Sequence, residues 1–481
     1  MHYSYILSTA LCLSSTIGLS HSSSALPPSQ DPWYTAPDNL LSFPAGSIIR
    51  IRPDPLSIYD SIGANITSAS YNILYRTTDG NDLPSFAVAT LFIPTLFIPS
   101  LKIAGKSKGL LSYQIPYNSP TVDASPSWTL LTSLNSTFPD IVAALEQGWY
   151  VSATDFEGPN ATFAAGVAEG HAVLDGLRAV TKSSSSPVSD AKGTDWKIGL
   201  WGYSGGSIAS EFAAELRASY APEIQIAGVA IGGLPTPVTA VLDSVNETPY
   251  AGLIVSGLWG YANAFPIVES YLLSRLTDEV KSSGNFTAGR NMNILEIFAV
   301  YADVDVFSYF VGGEDDIFSS PLLQYFWNTQ GVMGVHGLPD MPMYIYKAVE
   351  DQLAPVEYTD SLVNRYCDES EAAVTRKEAG VRILYERNMI GGHVAEETNA
   401  DASAVEFLKN ALKGGLGASW PSGNGYGCVV RNVTVGNDTS PDCTSIPIDM
   451  SDRQAFMQDK LEPVTGSERP EDDISNADTN A

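Results

Sequence analysis

Trp201-Gly202-Tyr203-Ser204-Gly205-Gly206 holds a serine with glycines two residues before and two after it. This G-x-S-x-G pattern suits a hydroxyl nucleophile where it turns sharply from a strand into a helix, because that turn lifts the hydroxyl out of a sheet. Both flanks fit. Asp195-Trp196-Lys197-Ile198-Gly199-Leu200 reads as a strand, and the apolar spacing from Ser207 to Leu216 predicts a helix. The letters alone are weak, since about one chain of this length in five carries them by chance. A second copy, Gly105-Lys106-Ser107-Lys108-Gly109, shows why context decides. Its serine lies between two lysines and a strand follows, so Ser107 is expected in a loop and Ser204 is the candidate nucleophile.

A serine hydroxyl attacks a carbonyl only when a base within hydrogen-bond reach takes its proton. Beyond the first residues only His171, His336 and His393 are available. Folds built around such an elbow run in the order nucleophile, acid, histidine, which sets His171 aside as a packing residue of a helix. His336 follows a long helical stretch, and the turn before that stretch carries no carboxylate. His393 follows the strand Arg382 to Tyr385 through Ile390-Gly391-Gly392, a loop expected to end before the last helix. The acid that orients the imidazole should leave the preceding strand, Met343 to Tyr346. Asp351 is that acid, with Glu350 and Asp360 as alternatives. A developing oxyanion needs two donors. One is the backbone N–H of Gly205; the other is expected in Tyr113-Gln114-Ile115-Pro116-Tyr117-Asn118-Ser119, after the strand Leu110 to Tyr113. The residues alone do not choose among these seven.

The elements that must hold these groups alternate along the chain. Strands are expected at Ile48 to Ile51, Ser68 to Tyr75, Ser85 to Ile93, Gly109 to Tyr113, Trp149 to Ala153 and Ile224 to Ile231. Helices fall between them near Ile141 to Gln147 and Phe163 to Val180. This alternation predicts an α/β fold with a mostly parallel, doubly wound sheet. Pro237 to Val335 reads as helical without a clear strand, and strands return at Pro342 and Val381. Helices at Val356 to Tyr366 and Ala402 to Leu412 complete the core. Pro27 to Tyr34 is expected to lie extended on the surface. Leu91-Phe92-Ile93-Pro94 is nearly repeated at Leu96-Phe97-Ile98-Pro99, and one copy is expected at an edge or in a loop.

A signal peptide is expected over residues 1–25, with an apolar stretch from Ile6 to Leu19 and cleavage after Ala25. The remaining divisions are a core over 26–236, a helical cap over 237–335, a second core part over 336–415 and a partly disordered extension over 416–481. The net charge of −28 argues against a nucleic-acid partner. No segment has the length of a transmembrane helix. Secretion to the cell exterior agrees with N-x-S/T sequons at Asn65, Asn135, Asn160, Asn246, Asn285, Asn432 and Asn437. Cys367, Cys428 and Cys443 allow one disulfide and one free thiol, and their spacing resembles no zinc site. Cys428 could pair with either of the others.

Taken together, these residues resemble the fungal secretory lipases, a Candida antarctica lipase A-like family of the α/β-hydrolase superfamily. The likeness spans Pro37 to Trp420 and rests on Leu111-Ser112-Tyr113-Gln114 and Asp155-Phe156-Glu157-Gly158-Pro159. It continues through Leu174-Asp175-Gly176-Leu177-Arg178, the elbow, Gly232-Gly233-Leu234-Pro235, and the Asp351 and His393 segments. The resemblance implies a triad of Ser204, Asp351 and His393, an oxyanion hole of Gly205 and Asn118, and a Cys367–Cys428 disulfide that leaves Cys443 free. It also implies a serine lipase or esterase that cleaves triacylglycerols and other carboxylic esters, at a lipid–water interface; the enzyme is expected to be a monomer that needs no metal or cofactor. A serine peptidase or acyltransferase, and an inactive hydrolase-like binding protein, are the competing readings. Two positions depart from the pattern. Asn118 stands where the family usually has aspartate, and Ala124 near a usual cysteine, so the cap lacks its customary tether. The apolar run Ala251 to Tyr261 is expected either to line an acyl tunnel or to form the cap's own core. Asp155 and Glu157 are expected to cap the helix that follows them.

Overall fold

The computed structural model describes residues 26–54, 66–95, 107–132, 139–188, 195–376, 380–423, 426–438 and 460. The signal-peptide segment, Asn65, Asn135, the second Leu-Phe-Ile-Pro copy, Cys443 and the stretch Ser467 to Ala481 lie outside them. Five strands precede the elbow: β1 (Ile48–Pro53), β2 (Thr67–Thr78), β3 (Pro84–Pro94), β4 (Ser107–Gln114) and β5 (Tyr150–Thr154). Then come β6 (Asp195–Tyr203), β7 (Ile226–Gly232), β8 (Pro342–Ala348), β9 (Arg382–Asn388) and β10 (Gly427–Val433). They form one sheet in the order β1-β2-β3-β5-β4-β6-β7-β8-β9-β10. The pairs among β1, β2, β3 and β5 are antiparallel, and every pair from β5 through β10 is parallel. All residues of β5 and β8 are buried, as central strands covered on both faces require.

The first helices are α1 (Pro126–Thr132), α2 (Pro139–Glu146), α3 (Gly166–Lys182) and α4 (Gly205–Tyr220). The cap holds α5 (Val238–Val245), α6 (Gly252–Ala264), α7 (Pro266–Arg275) and α8 (Asp278–Ser283), followed by α9 (Ile294–Tyr301), α10 (Asp315–Phe318) and α11 (Pro321–Gln330). After it come α12 (Val356–Thr375) and α13 (His393–Leu412). Leu174, Leu177, Ile208 and Phe212 of α3 and α4 join one apolar cluster. Ile141, Leu145, Phe407 and Leu408 of α2 and α13 join another with Leu111, Trp201 and Tyr344. Helices on both faces of a mostly parallel sheet make this a doubly wound α/β core.

Three local expectations need correction. Pro27 to Tyr34 is not extended: Asp31 caps a short 3-10 helix at Pro32–Tyr34, and Tyr34 is buried against Ser127. Ser107 opens β4 instead of sitting in a loop, because it pairs with Asp195 of β6. The final helix begins at His393, nine residues before Ala402, since Gly392 in extended conformation serves as its N-cap. The extension past residue 415 contributes β10, which adds in parallel to β9. A disulfide between Cys367 of α12 and Cys428 of β10 fixes that strand, with 6.0 Å between their Cα atoms. Pro94 ends β3, where losing an N–H costs no central ladder bond.

Candidate active site

β6 ends at Tyr203, Ser204 takes φ 49° and ψ −123°, and α4 starts at Gly205. A left-handed φ in a residue with a side chain costs about 1–2 kcal/mol, so the surroundings must enforce it. They do so by close approach. A Cβ on Gly202 would overlap the Gly206 carbonyl, and one on Gly206 would overlap the Gln114 carbonyl. Ser204 N–H donates to the Gly232 carbonyl at 3.0 Å, and Ser207 N–H donates to the Ser204 carbonyl at 2.8 Å. The turn is thereby locked between β4, β7 and its own helix.

Three residues far apart in sequence meet there. His393 Nε2 lies 2.8 Å from Ser204 Oγ, and its Nδ1 lies 2.7 Å from Asp351 Oδ2. Asp351 follows β8, and its Oδ1 accepts from the Leu353 and Ala354 amides at 3.0 and 2.8 Å. Burial would raise its carboxyl, but the charges of His393 and Lys347 outweigh burial and hold it well below the ordinary range. The arrangement can take a proton from the serine, keep the imidazole in one orientation and stabilise its charged form.

The other histidines stay away from Ser204. His171 stacks on Tyr220 with 3.9 Å between ring centroids, and burial pushes it down to about 4. His336 Nε2 lies 3.0 Å from the Thr329 carbonyl. Of the alternative acids, Glu350 is exposed, and Asp360 accepts from the Tyr385 hydroxyl at 2.9 Å.

Gly205 and Asn118 face each other beside the serine, so closely that a Cβ on Gly205 would overlap the Asn118 amide. Asn118 itself has φ 46°. Two cap helices grip this loop. Ser256 Oγ of α6 donates to the Asn118 carbonyl at 2.5 Å, and the Ile294 N–H of α9 donates to Ser119 Oγ at 3.0 Å. The capping role expected for Asp155 and Glu157 is absent, because α3 begins after Ala165 without a side-chain cap. Asp155 instead accepts from the Ser127 N–H and hydroxyl at 2.8 and 2.5 Å, holding α1. Glu157 is buried near the Asn118–Ser119 backbone, and burial with the charge of Glu169 pushes its carboxyl well up.

An apolar cavity of about 40 Å³ adjoins Ser204, Gly205, Asn118 and His393. Ile208, Val238, Leu242, Leu253 and Leu353 are among its walls. Ligand sites usually enclose roughly 300–1,000 Å³, so this conformation leaves little room beside the serine. Of the apolar run Ala251 to Tyr261, Leu253 and Gly257 face the cavity while Ile254, Leu258, Trp259 and Tyr261 are buried in the core cluster that includes the cap. Most of the run therefore packs as core, and Leu253 and Gly257 border the space beside Ser204.

Two residues at the site escaped the sequence reading. The Tyr203 hydroxyl donates to the His393 carbonyl at 2.5 Å. Lys347 Nζ donates to Asp351 Oδ2 at 2.8 Å, with neither side chain exposed. The available signal for Lys347 was a cation in the otherwise apolar strand Met343-Tyr344-Ile345-Tyr346-Lys347-Ala348.

Residues 122–417 match the secretory lipase family model. The chain is 39% identical over 432 residues to a trichothecene C-3 esterase of Fusarium sporotrichioides, covering 88% of this chain and 91% of that one. It is 35% identical to Lipase A of Arthroderma benhamiae, covering 81% and 80% of the two chains. The closed state of Candida antarctica lipase A aligns with TM-score 0.72 and 26% identity over 92% of this chain and 98% of that one. The elbow, the sheet order and these relatives converge: the chain belongs to the secretory lipase family and is a carboxylic ester hydrolase of α/β-hydrolase fold.

Proposed function

We propose that the protein is a secreted serine esterase working through an acyl-enzyme. The observation that carries this reading is the hydrogen-bonded chain from Ser204 Oγ through His393 to Asp351. Ser204 Oγ bonds to the ester carbonyl carbon while its proton passes to His393 Nε2. Gly205 N–H and Asn118 stabilise the oxyanion. The bond to the alcohol breaks as His393 returns the proton to the leaving oxygen. A water then gives a proton to His393 Nε2 as its oxygen bonds to the acyl carbon, and the bond from that carbon to Ser204 Oγ breaks as His393 returns the proton to Oγ, releasing the acid.

The apolar cavity walls and the lipase relatives support an acyl ester of lipid type, triacylglycerol among them, met at a lipid–water interface. The trichothecene C-3 esterase relative supports a second reading, a small acyl group on a bulky alcohol. Secretion is supported by the N-terminal segment, the family's name and exposed sequons at Asn160, Asn432 and Asn437. Asn246 and Asn285 are half-buried and fit glycans less well. Ser204→Ala should lower ester hydrolysis by roughly 10⁶ and abolish labelling by a fluorophosphonate. Activity above about a thousandth of wild type would overturn the assignment. Rates on esters of increasing acyl length, beside an acetylated fused-ring alcohol, separate the two substrate readings.

A further inference from the structure

Lys347 is the penultimate residue of β8, and its side chain is fully buried, an uncommon place for a lysine. Its ammonium has two acceptors, Asp351 Oδ2 at 2.8 Å and the Leu234 carbonyl at 3.3 Å. The first is also the oxygen that holds His393 Nδ1, at 2.7 Å. The second lies in the turn after β7, whose Gly232 carbonyl receives the Ser204 N–H. One ammonium thus joins the acid to the turn that braces the elbow.

Holding the carboxylate in place does not by itself require a cation. Asp351 Oδ1 already has two backbone amides, and Oδ2 has the imidazole. What Lys347 adds is charge. We propose that Lys347 is a positioning residue of the triad whose ammonium, gripping the oxygen that binds His393, sets the lower pH limit of hydrolysis. The proposal rests on Ser204, His393 and Asp351 being the reacting set.

The ammonium acts in two ways, both in the same direction. It opposes protonation of Asp351, which would remove the imidazole's acceptor. It also sets a positive charge beside the oxygen that holds His393 Nδ1, which opposes a second positive charge on the imidazole. The other titratable groups bearing on Asp351 and Lys347 are Tyr203 of β6, Glu357 of α12 and Glu396 of α13, and Glu397 of α13 bears on His393. Glu396 accepts from Asn388 Nδ2 at 2.6 Å, and burial pushes its carboxyl and that of Glu397 up to about 7, so through the acid range both are largely neutral. Burial also pushes the Lys347 ammonium down, against the pull of Asp351, so its charge is most secure in that same acid range.

The test is the rate of fluorophosphonate labelling at Ser204, followed from about pH 3 to pH 8 in wild type, Lys347→Met and Lys347→Arg. Lys347→Met should move the acidic limb upward by about one unit, so that labelling in acid falls about tenfold further than at neutral pH. Lys347→Arg should keep the wild-type limb. A Lys347→Met variant slowed equally at every pH would reduce the lysine to packing and overturn the proposal. Should Lys347→Met not fold, Lys347→Gln, which keeps a hydrogen-bond donor without the charge, decides: its acidic limb should move upward as expected for Met, and a limb unchanged from wild type overturns the proposal. Wild type that never labels at Ser204 refutes the reading of the site instead, which keeps the two failures apart.

Discussion

Asp351, where His393 opens α13, faces an ammonium and an imidazole, and its carboxyl is held far below the ordinary range despite complete burial of its side chain. Asp140 of α2 with Glu397 and Asp401, in the first turns of the same α13, face chiefly one another. Burial, reinforced for Glu397 and Asp401 by their acidic neighbours, pushes them up to about 6, 7 and 9, and the Tyr113 hydroxyl that donates to Asp140 at 2.5 Å lowers Asp140 only in part. The difference lies in the partner. Burial by itself strips charge from a carboxyl, whereas a matched cation keeps it. The formal net charge of −28 therefore overstates the charge of the folded protein near neutrality. Charge is retained in the interior where a reaction can use it.

Exchanging one carboxyl at a time breaks or sharpens this contrast. Asp351→Asn keeps the shape and removes the charge, and should lower kcat by roughly 10⁴. A loss below about tenfold, measured on a soluble ester, would mean that the retained charge serves only the fold. Asn118→Ala removes the neutral amide side chain that packs against Gly205 beside the same serine. It should cost about 10² in kcat with little change in KM, and a change confined to KM would place Asn118 in substrate binding instead. Asp401→Asn should leave activity unchanged and act on stability alone. Because the folded carboxyl is raised above its unfolded value, its contribution is full below about pH 4 and is lost as pH rises through the folded range. Removing the charge should therefore raise thermal stability at pH 8 by about 1 kcal/mol after allowance for partial exposure, and leave it unchanged in acid. An equal gain at both pH values would remove titration as the cause.

Much of the reacting set was legible because its chemistry limits the choice. With three candidate histidines and a fixed chain order, Ser204 led to His393 and Asp351, and the structure brings those atoms together. The sheet was legible where strands are apolar and evenly punctuated. Lys347 was not, because a lysine near the end of a strand ordinarily points to solvent, and only the packing shows it turned onto Asp351. Gly391-Gly392 suggested a loop up to His393, whereas Gly392 is the residue from which the helix starts. Asp155 and Glu157 carried the residue types of helix caps, but their partners are loops and helices distant in sequence. β10 was hidden for a related reason. Cys428-Val429-Val430-Arg431 is short and follows a glycine-rich stretch, so only its neighbour β9 identifies it as a strand.

That last strand has a consequence for where the gene may be shortened. A chain stopped after Leu412 would carry Ser204, Asp351, His393 and the whole cap. It would also end the sheet at β9, leaving Cys367 a lone thiol and one side of Arg382–Asn388 with unpaired backbone donors and acceptors. An open strand edge recruits other chains. The whole chain also ends its sheet in an edge, but that edge is β10, none of whose residues is buried. The truncated enzyme would instead offer β9, four of whose seven residues are buried, as the strand to be covered.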